Sequence, residues 1–200
     1  MHNAARLFCG VPMVLLAVLL AIGAAAASVA PSRTSPLYGP YYLGPSPDWT
    51  TPQMLQHGVF LVRSYRALTG KDLVAGGNND DEAARRLFLL HDRVVVSHGT
   101  QKDLPDGPVL NYGNIAALRR WGASWEQLTS MPSKFTAGPM ERSVREAFMK
   151  QVTENGIVNN YSGIRVALDG TQFAIKDATV WNVEIDGLYL GQAATFPLGE

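Results

Sequence analysis

The sequence is poor in the residues on which metal sites, redox centres and thiol chemistry depend. Its single cysteine is Cys9. Beyond it the chain can form no disulfide, offers no cysteine to a metal and has no thiol nucleophile. Charge of either sign is not in excess, since 17 Lys and Arg balance 17 Asp and Glu. Binding nucleic acid draws on a basic stripe facing phosphates, and none is present. The densest pairs, Arg85-Arg86 and Arg119-Arg120, fall on predicted helices and read as solvated faces. There is no H-E-x-x-H, no glycine-rich phosphate loop and no cluster of metal ligands. Ser97, His98 and Asp103 cannot form a proton relay, because neighbours along a strand point to opposite faces. No segment repeats at a fixed period. Enzymatic activity is therefore not expected.

Long apolar runs are also scarce. The one present, Val11 to Ala30, is rich in Leu and Val as far as Ile22 and then in Ala and Gly, ending in small residues that fit an A-x-A cleavage pattern. Residues 1–30 thus read as a signal or transit leader, giving an exported or organellar protein; a single-span membrane anchor is the alternative. Pro31 to Thr51 is a proline-rich linker without periodicity.

From residue 52 the chain acquires regular patterns. Met54, Leu55, Val59, Leu61, Val62, Tyr65 and Leu68 recur at helical spacing over Gln53 to Thr69, and Gly70 ends the run. A second helix is expected from Asp81 to Leu90. Val94 to Ser97 and Val109 to Tyr112 read as paired strands. Asn114 is placed to cap a helix from Ile115 to Trp121 that Gly122 closes. Ser124-Trp125-Glu126-Gln127 fits a capping box, and Gly138-Pro139 opens a longer helix to Asn155.

The stretch Val158 to Phe196 reads as three antiparallel strands turned at Asp169-Gly170 and Asp186-Gly187. With two-residue turns, Ile164 faces Ile175, Ser162 faces Asp177 and Trp181 faces Gln192. One face then carries Ile164, Phe173, Ile175, Trp181, Val183 and Phe196 around a polar centre of Asn160, Ser162, Asp177, Thr179 and Gln192. Arg165, Lys176 and Glu184 lie on the other face, beside a strip of small and aromatic residues that includes Ala178, Val180 and Ala193. Asn160-Tyr161-Ser162 is a formal glycosylation sequon, which this register buries. A polar centre on an apolar face must satisfy itself, hold water or meet a ligand. The fold class is α+β, five antiparallel strands with helices on one face.

The element order is that of a PAS domain. Val95-Val96-Ser97-His98-Gly99, Leu110-Asn111-Tyr112-Gly113-Asn114, Tyr161-Ser162-Gly163-Ile164-Arg165, Val180-Trp181-Asn182 and Gly191-Gln192-Ala193-Ala194 resemble the MEKHLA domain family over residues 52–197. The resemblance implies a PAS-like five-stranded sheet and a non-enzymatic sensory or regulatory module, and it brings no catalytic residues and no defined cofactor. Homeodomain and zipper heptads are lacking, so DNA binding is not implied. PAS-like folds hold ligands between the sheet and the short helices. That implies a small-molecule site built from Asn160, Ser162, Asp177, Thr179, Trp181 and Gln192, walled by Tyr112, Trp121 and Trp125, although ordinary core packing of the aromatics is the competing account. Light-sensing flavin chemistry of this fold requires a pocket cysteine, which is missing. His98 and His91 are conceivable haem ligands but read better as hydrogen-bonded or surface histidines. The alternative to a sensor is a protein-protein interaction module, dimerising through the outer sheet face and helix 53–69.

Overall fold

A computed structural model describes residues 51–100, 104–138 and 142–199. The leader, the linker up to residue 50, Asp103 and the helix opening at Pro139 lie outside the described residues. Helix α1 (Pro52–Thr69) starts where the Thr51 hydroxyl accepts from Met54 N at 3.3 Å, and stops at Gly70, whose φ of 68° only glycine adopts without strain. Asn79 caps α2 (Asp80–Leu89) by accepting from Glu82 N at 2.9 Å. Arg63 and Arg66 of α1 reach Asp80 at 2.7 and 2.8 Å and hold its carboxyl below the usual range.

Strands β1 (Arg93–His98) and β2 (Leu110–Gly113) follow. Helix α3 (Ile115–Trp121) occupies the expected residues. Its cap Asn114 is fully buried and serves strand as well as helix: Oδ1 accepts from Ala117 N and Val95 N, both at 3.0 Å, and Nδ2 donates to Arg93 O at 2.7 Å. The Ser124 capping box forms as expected and opens α4 (Trp125–Thr129). A 3-10 turn over Ser133–Thr136 leads into α5 (Arg142–Asn155). Strands β3 (Ile157–Val166), β4 (Gln172–Ile185) and β5 (Leu188–Pro197) complete one antiparallel sheet of order β2-β1-β5-β4-β3, the PAS-like α+β arrangement.

The two turns differ. At Asp186-Gly187 both residues have positive φ, 52° and 78°, as a two-residue turn requires. At Asp169-Gly170 only the glycine does, and Gly170 N bonds Ala167 O while Ala167 N bonds Thr171 O. That is a three-residue loop with a glycine bulge, and it shifts the expected pairing by one residue. Arg165, not Val166, stands opposite Phe173, and Gly163 stands opposite Ile175.

A pair of bulges then changes which residues face inward. Between the pairs Gly163↔Ile175 and Tyr161↔Ala178, β4 carries an extra residue at Asp177, φ 52°. Between Tyr161↔Ala178 and Val158↔Val180 the extra residue is on β3 at Asn160, φ 58°. Asn and Asp tolerate this left-handed conformation better than other side chains. Both bulge residues are exposed, as is Ser162, which corrects their placement in a buried polar centre; the sequon at Asn160 is likewise accessible. Thr179 is half-buried and donates to Asn159 Oδ1 at 3.0 Å.

Beyond the bulge, Trp181 and its neighbours change sides. Trp181 turns towards α1, donating from Nε1 to Ser64 Oγ at 3.0 Å and meeting Tyr65 edge to face at 5.1 Å. Burying an aromatic of roughly 150–250 Å² at about 25 cal/mol per Å² contributes about 4–6 kcal/mol, an upper figure. That anchors α1 over this face within the same chain. Val180 and Asn182 face the other way, under α5 and the 3-10 turn.

Candidate functional site

The space between the sheet and α5 is lined from all five strands, with Val96 and His98 from β1 and Leu110 from β2. β3 contributes Tyr161 and Arg165, β4 contributes Ile175 and Val180, and β5 contributes Gln192 and Phe196. Trp121 closes one side, packing edge to face on Phe173 at 5.2 Å. The inner cavity is about 60 Å³. It opens towards a larger cleft of about 430 Å³ beside the 104–108 loop, and His98, Ser133, Arg145, Met149 and Gln192 line both. The inner space has room for only a few water molecules; pockets for cofactor-sized ligands span roughly 300–1,000 Å³.

A cross-strand pair of amides fastens α5 over this space. Gln192 Nε2 donates to Asn182 Oδ1 and to Thr153 Oγ1, each at 3.0 Å, and Asn182 Nδ2 donates to Thr153 O at 3.3 Å. Phe148 of α5 stacks on Tyr161 at 3.9 Å. The buried polar centre of the sheet is therefore Asn182-Gln192.

Two arginines converge on the cavity. Arg165 is 8% exposed and donates to Tyr161 Oη at 3.0 Å and to Ile164 O at 2.9 Å. Arg145, half-buried on α5, donates to Ser133 Oγ at 3.2 Å. Burial lowers its guanidinium to about 10, and the charge of Arg165 pushes it in the same direction. His98 is held near 4 by burial, with Arg145 adding to the effect; its Nδ1 donates to Gly99 O at 2.9 Å, leaving a neutral ring.

On the opposite face, His57 Nε2 lies 2.9 Å from Ser97 Oγ, which donates to Asn111 Oδ1 at 2.6 Å. Since the hydroxyl proton goes to Asn111, the histidine is the donor to Ser97. This is the reverse of what activating a serine nucleophile requires. Among the described residues no three His, Cys, Asp or Glu cluster to hold a metal.

Of the nine residues expected to form the site, Trp121 and Gln192 line the cavity. Trp181 belongs to the α1 face. Tyr112 and Trp125 pack edge to face at 5.9 Å, with Phe88 beyond Trp125. Asn160, Ser162, Asp177 and Thr179 are displaced by the shifted register. Sequence reasoning missed Arg145 and Arg165. For Arg165 the signal was Tyr161-x-Gly163-x-Arg165, period two with glycine at its centre. A Cβ at Gly163 would lie 2.9 Å from Tyr161 Oη and 3.3 Å from Arg165 Nη1, so glycine makes room for both side chains.

The MEKHLA domain family matches residues 55–198. No curated protein matches the chain significantly. Among solved structures it is similar to the PAS domain of a protein from Colwellia psychrerythraea, with 15% identity and a TM-score of 0.46 over 57% of this chain and 90% of that one. A variant of the fungal photoreceptor VVD aligns with 15% identity and a TM-score of 0.40, over 52% of this chain and 74% of the photoreceptor. A blue-light activated histidine kinase from Erythrobacter litoralis aligns with 15% identity and a TM-score of 0.44 over 58% of this chain; only 36% of the kinase is covered.

Proposed function

The chain belongs to the MEKHLA domain family, a PAS-like sensory family, and on that premise we propose that it is a sensory module that takes up a small molecule between its sheet and α5. The observation that carries this reading is the donor-rich cavity under α5, continuous with an open cleft. Stability alone gives little reason to bury the Arg165 guanidinium without an acidic partner, because an uncompensated buried charge is costly. The inner cavity is too small for a cofactor, so uptake requires α5 to shift, and the ties from Asn182 and Gln192 to Thr153 are the bonds that would yield. Displacement of α5 is then the signal.

Native mass spectrometry of the purified full chain, compared with its denatured mass, tests this. A bound small molecule released on denaturation is the expected result. An unliganded mass, together with no thermal stabilisation across a metabolite panel, would leave the sensor reading without support.

A further inference from the structure

The cavity lining is unbalanced in its hydrogen-bonding chemistry. Arg145 and Arg165 both face it, yet among the described residues neither forms an ion pair. Their hydrogen-bond partners are a serine hydroxyl, a tyrosine hydroxyl and a main-chain carbonyl, all neutral. Among the described residues no carboxylate lines the inner cavity, and Asp106 and Glu146 line only the outer cleft. Glu146, next to Arg145 on α5, is exposed; its charge acts on the guanidinium only as a minor influence, outweighed by burial and by Arg165. A third donor is idle: Trp121, 2% exposed and part of the cavity wall, has a buried Nε1–H without a partner.

Buried charges are normally paired, and a buried N–H normally has an acceptor. Guanidiniums held only by neutral acceptors, with an idle indole N–H beside an empty space, describe the complement of an acceptor-only group. A carboxylate is such a group, and guanidinium forks match its two oxygens in a common plane. The rest of the wall, with Val96, Ile175, Val180, Phe148 and Phe196, suits a short apolar body.

We propose that the ligand is a small organic acid whose carboxylate is held by Arg145 and Arg165, with its apolar part against the sheet. This rests on the small-molecule reading above. It also gives the ligand a means of moving α5, because Arg145 rides on that helix while Arg165 is fixed to the sheet.

The test titrates the full chain with acetate, butyrate and benzoate, with benzamide and inorganic phosphate as controls, following tryptophan fluorescence and thermal melting. The acids should stabilise saturably and benzamide should not. Arg145→Met and Arg165→Met should weaken acid binding by roughly tenfold to a hundredfold. Without acid, Arg145→Met should melt no lower than the parent, since a partly buried guanidinium with no ion pair among the described residues has been removed; a lower melting point would make Arg145 a structural residue and overturn the proposal. Should Arg165→Met fail to fold, Arg165→Lys keeps the charge, loses the fork and should still bind acids more weakly. Benzamide binding as well as benzoate, or phosphate binding better than every acid, overturns the carboxylate while leaving the ligand-binding reading intact. If no probe binds and no molecule co-purifies, both fail.

Discussion

Asn182 and Gln192 stand opposite each other on adjacent strands, and through Gln192 Nε2 and Asn182 Nδ2 both reach Thr153 on α5. One cross-strand pair thus joins the sheet's polar centre to the helix that roofs the cavity. Replacing Gln192 with Leu removes three contacts made by one amide nitrogen and should cost about 1–3 kcal/mol. Hydrogen exchange should quicken along α5 well before the sheet; uniform quickening would show that the pair does not hold this helix in particular.

The opposite face has its own tie. Ser64→Ala leaves the Trp181 indole N–H buried without an acceptor, at an expected cost of about 1–3 kcal/mol in denaturant unfolding. Tyr65→Asp sets a carboxylate against the same ring and should cost roughly 3 kcal/mol or more. Light scattering separates two accounts of α1: unchanged mass with a lowered melting point fits a helix covering its own sheet, while a halved mass with unchanged melting shows that it covers a partner.

Acid should unfold the protein earlier than its surface charges suggest. Burial depresses His57 and His98 from 6.5 to about 4, so the unfolded chain takes up two protons that the folded chain refuses. Stability is complete above pH 6.5 and is lost as pH falls from there towards 4, by roughly 3 kcal/mol for each histidine at about 1.4 kcal/mol per pH unit. His98→Asn should flatten part of this fall. A stability curve level between pH 6.5 and 4.5 would contradict the assignment of both rings as neutral.

Gly191→Ala should be among the most damaging single changes. Gly191 has φ 133°, and a Cβ there would run into the His98 carbonyl oxygen where β5 passes β1. Main chain cannot give way as a side chain can, so a loss of about 4 kcal/mol or more, or failure to fold, is expected. A circular dichroism melt within a few degrees of the parent would refute it.

Much of the fold was legible because its signals are local. Asn114, Ser124 and Gly122 announce helix ends through the hydrogen bonds their own side chains or backbone make, and Asp186-Gly187 gives a turn through two positive φ values. The site was less legible because it depends on phase. An Asp-Gly pair also fits a three-residue loop, and at Asp169-Gly170 that option moved Arg165 from the solvent face to the cavity. The bulge at Asp177 exchanged Trp181 for Val180 and Asn182, which no count of alternation reveals. Arg145 carries no signal of its own in the sequence; only the approach of α5 to β3 turns it inward.

The bulges at Asn160 and Asp177 also bear on how the gene can change. Each is one surplus residue, and because they sit on facing strands the ladder is in step on either side of them. Losing the codon for Asp177 alone would turn Trp181 into the cavity and Asn182 out of it. Losing the codon for Asn160 as well would restore the pairing between β3 and β4, yet β4 would still meet β5 and α1 out of phase. The strand can shed neither residue without putting one of its neighbours out of phase, so the two surplus residues set the register of the whole sheet.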